Sequence, residues 1–93
     1  MSTVAQMIVN AINGITETKV ITISEPTRDI YNEIYYFVRL AYAISNIFPS
    51  VSPISYDRNK LTMINLVDNS LIIISFIIDV VYDMIEIVCE FKN

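Results

Sequence analysis

The chain contains no histidine, so it lacks both the commonest acid–base group of neutral pH and the commonest metal ligand. Serine–histidine and cysteine–histidine nucleophile systems cannot be assembled within one such chain. A single cysteine, Cys89, excludes an internal disulfide framework and any multi-cysteine zinc or iron–sulfur site. One unpartnered thiol fits a reducing, cytoplasmic setting. Gly14 is the only glycine, which removes glycine-rich phosphate-cradling loops. Charge is also scarce. Six basic residues and a formal net charge of −4, with a pI near 4.5, leave no broad basic surface for nucleic acid. The opening residues Met1-Ser2-Thr3-Val4 carry neither the basic nor the apolar region of a signal peptide. Neither a cofactor nor a metal site is expected.

Apolar surface, by contrast, is abundant. Of 93 residues, 54% are apolar and 17% charged, against about 45–50% and about 25% in soluble domains. That length suits one small domain spanning residues 1–93, which buries only about 60–65% of its unfolded surface. The surplus has to be covered by a second copy of the chain, a partner or a membrane. Isoleucine far outnumbers leucine, and asparagine and tyrosine are plentiful. Such usage points to an AT-rich coding sequence of the kind common in viruses and plasmids.

Local patterns divide the chain. Residues 2–13 place Val4, Met7, Ile8, Ala11 and Ile12 at helical spacing, with Gly14 as the stop. Residues 19–24 are β-branched and read as a strand. Residues 27–48 form a long amphipathic helix, with Pro26 tolerated ahead of it and Pro49 forbidding its continuation. Its apolar stripe is Ile30, Ile34, Phe37, Val38, Ala41, Ile44 and Phe48. Pro49-Ser50-Val51-Ser52-Pro53 reads as a connector, and Tyr56-Asp57-Arg58-Asn59-Lys60 as a polar turn.

Two signals compete in the C-terminal half. Propensity favours strands at 61–67, 70–78 and 84–91, with Asp68-Asn69 as a two-residue hairpin turn. Periodicity favours a helix, because Ser75, Asp79, Asp83, Glu86 and Glu90 step by four, four, three and four residues. The strand reading is adopted: an α+β fold of short helix, strand, long amphipathic helix and a three-stranded antiparallel C-terminal meander. The alternative is an all-α fold with a long C-terminal helix.

In the meander, Leu66 is expected to pair with Leu71 and Ile64 with Ile73, placing Met63, Ile72, Ile74 and Phe76 on the opposite side. Both faces are then apolar, as in a strand buried on two sides. The two helices cover one face, and a homodimer interface through Met63, Ile72, Ile74 and Phe76 is the expected cover for the other.

Two surfaces are candidates for binding. Arg28, Tyr31, Asn32, Tyr35, Arg39, Tyr42 and Asn46 line one strip of the long helix. Arginine and tyrosine are the types enriched at binding hot spots, and Arg28, Tyr35 and Arg39 are the members singled out. The second is an acidic ridge of Asp79, Asp83, Glu86 and Glu90, able to meet a basic partner surface. Together they indicate a non-enzymatic intracellular interaction protein, a homodimer binding a protein partner, whose concrete form is a viral or plasmid accessory factor that blocks a host protein. An alternative is a small metal-dependent nuclease using Asp79 or Asp83, Glu90 and Lys92. Another alternative, a membrane-associated protein, is disfavoured because Asp79, Asp83 and Glu86 follow the apolar run 71–78 too closely for a span.

Overall fold

The computed structural model describes residues 2–12, 19–26, 33–57, 59–79 and 81–92. The elements run α1 (Ser2–Ile12), β1 (Lys19–Pro26), α2 (Glu33–Ile47), β2 (Val51–Asp57), β3 (Lys60–Asn65), β4 (Leu71–Asp79) and β5 (Met84–Lys92). All five strands join one antiparallel sheet in the order β1-β5-β4-β3-β2. The expected three-stranded meander is therefore too small, and the long C-terminal helix of the alternative does not form. Strand β5 decides the second point: Ile85, Ile87, Cys89 and Phe91 are buried while Met84, Glu86, Val88 and Glu90 between them are half-buried. That is the period of a strand.

Two strands flank the expected three. Strand β1 pairs with β5 through eight consecutive partners, from Lys19 opposite Phe91 to Pro26 opposite Met84. Strand β2 replaces the expected connector and turn. Its Pro53 lies on an edge strand, where a missing N–H is tolerated, beside a bulge between Pro53 and Ser55. The prolines that argued against a strand instead mark a sheet edge and blunt it.

The β3–β4 hairpin also differs from expectation. Ile64 pairs with Leu71 and Met63 with Ile72, a slip of two residues from the expected register. A slip of two leaves every side chain on its own face. The wider loop is fastened by its own polar groups. The Asn65 N–H donates to the Ser70 carbonyl at 2.9 Å, and the Asn69 N–H to the Asn65 carbonyl at 2.7 Å. The Val67 N–H donates to Asn65 Oδ1 at 3.1 Å. Asp68 Oδ1 accepts from both the N–H and the hydroxyl of Ser70, at 2.9 and 2.6 Å. Asn69 takes φ = 61°, a region asparagine tolerates better than most residues.

Both helices contribute to a core on one side of the sheet. Val4, Ala5, Ile8 and Val9 of α1 and Tyr36, Phe37, Leu40, Ala41 and Ile44 of α2 meet Leu61, Met63, Ile72, Ile74, Ile85, Ile87, Cys89 and Phe91. Each large apolar side chain so removed from water contributes about 1.5–3 kcal/mol. Phe76 joins this core, stacked on Phe37 at 4.5 Å between centroids and edge-on to Tyr36 at 5.3 Å. The face assigned to a dimer interface is thus the face under the helices. Met63, Ile72 and Ile74 are fully buried within one chain and cannot touch a second. The opposite face mixes Ile64, Leu71, Ile73, Ile77 and Val88 with Lys60, Thr62, Ser75, Glu86 and Glu90. It is less apolar than the sequence suggests, because β3 and β5 set polar residues beside the aliphatic ones of β4.

No helix among the described residues is long and apolar enough to cross a membrane.

Candidate docking site between α2 and the edge strand

Helix α2 buries Tyr36, Phe37, Leu40, Ala41 and Ile44, and so turns Tyr35, Arg39, Tyr42 and Asn46 outward. The spacing of 3.6 residues per turn requires this. Tyr35 and Tyr42 are largely exposed, and the Arg39 guanidinium lies 5.7 Å from the centre of the Tyr35 ring, a cation–π distance. Arg28, Tyr31 and Asn32, the remaining members of the strip, lie outside the described residues.

Beside this strip, α2 and β2 enclose an open cleft of about 400 Å³ lined by Val38, Ala41, Tyr42, Ser45, Pro53 and Tyr56. Its size falls in the range of small-ligand pockets, roughly 300–1,000 Å³. The Ser45 hydroxyl donates to the Val51 carbonyl at 2.9 Å, fixing the helix to the start of the strand. Beyond the bulge, Tyr56 sits opposite Leu61 and contributes one wall of the cleft. Partial burial, and secondarily the neighbouring Tyr42, hold its phenol above the usual tyrosine pKa. The wall is therefore apolar with phenolic edges. Sequence reasoning overlooked Pro53 as a lining residue and left Tyr56 in a turn. The alternation of Tyr56 with Ser55 and Asp57 was the available signal, masked by the bulge.

The acidic set is divided between the β4–β5 turn and the sheet face away from the core. Asp79 Oδ1 accepts from the N–H groups of Val81 and Tyr82, at 3.1 and 3.3 Å, and so shapes the β4–β5 turn. Asp83 ends that turn, exposed, with φ = 52°. Glu86 and Glu90 lie opposite Ile77 and Ile73 on the sheet face away from the core, and Glu90 pairs with Lys92 at 3.2 Å. The helical spacing that suggested a ridge is broken by the turn.

The same register dismantles the nuclease arrangement. Asp79 pairs with Met84, whereas Glu90 pairs with Ile73 six residues away along β4, about 20 Å at strand rise. Two carboxylates so placed cannot share an ion. Among the described residues no group of three or more acidic or cysteine side chains is arranged to hold a metal. Cys89 is buried in the core, and burial pushes its thiol up to about 12, the reverse of what a nucleophile needs.

The chain matches no protein-family model, no curated protein and no solved structure. The residues themselves must carry the functional reading.

Proposed function

We propose that this chain is a non-enzymatic interaction protein that takes a protein partner on the surface formed by α2 and β2. The observation that carries the proposal is the apolar cleft between Tyr42 and Tyr56, on the helix that also exposes Tyr35 and Arg39. Tyrosine supplies large contact area for little lost entropy, and arginine a planar fork for a carboxylate. A preformed cleft adds affinity because little has to be ordered on binding. The composition supports an intracellular setting and a viral or plasmid origin, with a host protein as the partner that is blocked.

The test begins with a photoreactive side chain at position 42, which crosslinks whatever occupies the cleft in the native cell. The identified partner is then purified and its binding to the full chain measured directly. Tyr42→Ala and Arg39→Ala should each weaken binding at least tenfold, about 1.4 kcal/mol, while Lys60→Ala on the far face of the sheet leaves it unchanged. Equal affinity for all four proteins would overturn the reading.

A further inference from the structure

The β4–β5 hairpin ends in two apolar side chains with no cover: Val81 is 82% and Tyr82 75% exposed. Their backbone is held by Asp79, which accepts from both N–H groups, and by Asp83 in the left-handed region. An aspartate adopts that conformation more readily than most residues. The tip is thus a preformed knob and loses little freedom on docking. Its surroundings are acidic. Asp79, Asp83 and Glu86 lie at this end, while Lys60 and Lys92 sit opposite Ser75 and Leu71, farther along β4.

The α2/β2 cleft complements the tip in both respects. It is apolar, of about 400 Å³, and its described lining residues carry no carboxylate. Arg39, next in sequence to the lining Val38 and three residues before Tyr42, is exposed on the same helix. Asp57, next along β2, lies opposite Lys60 in the strand register and is not among the described lining residues. A tyrosine side chain carries about 150–250 Å² of buriable surface, which a cleft of this size can receive together with a valine.

We propose that the 81–82 tip of one copy seats in the α2/β2 cleft of a second copy, with Asp83 facing Arg39. This rests on the cleft being a docking surface, as above. Because knob and cleft are different patches, the contact is heterologous and propagates into rings or open chains instead of stopping at a two-fold dimer. The exposure of Val81 and Tyr82 shows that no chain fills its own cleft. A contact of a few hundred Å² is small, so self-association is weak and is read from about 0.01 to 1 mM.

Sedimentation equilibrium on the full-length protein tests it. The wild type should rise beyond dimer mass with concentration. The tip variant Val81→Ser/Tyr82→Ser and the cleft variant Tyr42→Asp should each weaken association at least tenfold. Mixed in equal amounts, they should form a dimer that grows no further, since one supplies only a cleft and the other only a tip. Arg39→Glu, at an exposed position, provides an independent cleft variant should either of the others lose its circular-dichroism signature. A wild type that stays monomeric to about 1 mM overturns self-association yet leaves the cleft reading to the partner-binding measurement. Self-association that the mixed variants fail to restore places the contact on another surface and overturns the proposal.

Discussion

Replacing Phe76 with alanine separates a core residue from an interface residue. Its ring stacks on Phe37 at an interplanar angle of 17° and meets Tyr36 at 64°, so its partners all belong to the same chain. Truncating a fully buried phenylalanine costs about 3–5 kcal/mol. Phe76 is only partly buried, so water can reach the void and the cost moves below that range. The two lost ring contacts, about 0.5–1.5 kcal/mol each, hold it near 2–3 kcal/mol. In a domain of this length that lowers the melting temperature by roughly 10–20 °C, out of a total stability of about 5–15 kcal/mol, so the variant still folds. Urea unfolding followed by far-ultraviolet circular dichroism, at two protein concentrations tenfold apart, is the assay. The midpoint should fall with the slope unchanged and by the same amount at both concentrations. Phe76→Leu should recover most of the loss. A penalty under about 0.5 kcal/mol, the scale of a surface substitution, or one that grows with dilution, would refute the placement of Phe76 beneath α2.

Three further outcomes follow from local geometry. Asn69→Val should destabilise the chain by about 1–2 kcal/mol, because a β-branched residue strains at φ = 61°, whereas Asn69→Gly should be close to neutral; chemical denaturation compares them. Cys89 should resist thiol reagents at pH 8 in the folded protein and react on unfolding. Its thiol moves from an ordinary 9.0 to about 12 on burial. The folded state therefore holds the proton more tightly, and this contribution to stability is complete below pH 9 and lost as pH rises towards 12. The two Ser70 hydrogen bonds hold the Asp68 carboxyl below its ordinary value. Their stabilising effect is present above the unfolded carboxylate pKa and fades as pH falls through the lower folded one. Ser70→Ala should raise the Asp68 titration midpoint, observed by NMR.

The legible parts of this protein are those in which one short segment reports its own geometry. The spacing of Tyr35, Arg39, Tyr42 and Asn46 places them on a single strip of α2, and all four are exposed. The alternation from Ile85 to Phe91 is the alternation of burial in β5. Strand β2 was hidden because Pro49 and Pro53 signal a break, and nothing local distinguishes a connector from a sheet edge that tolerates proline. The cleft was invisible for a related reason. Val38, Ala41 and Ser45 acquire a partner wall only when the bulge at Pro53–Ser55 aims Tyr56 towards them.

The sequence alone determined the alternation of the C-terminal strands and, through the missing histidine and the single cysteine, which chemistries are closed to the chain. On the helices it placed Met7 and Ile34 in the apolar stripes, whereas they are exposed and Ala5, Val9, Tyr36 and Leu40 are buried instead. Backbone geometry sets the alternation of a strand within a few residues, so it survives even a slipped hairpin register such as that of β3 and β4. The tertiary structure decided what each face meets. Met63, Ile72, Ile74 and Phe76 form one apolar face in either account, but whether helices or a second subunit cover it depends on contacts between segments far apart in the chain. Burial is shared among those segments and recorded in none of them singly. That is why an apolar surplus could be counted from composition, while its resting place beneath α1 and α2 could not.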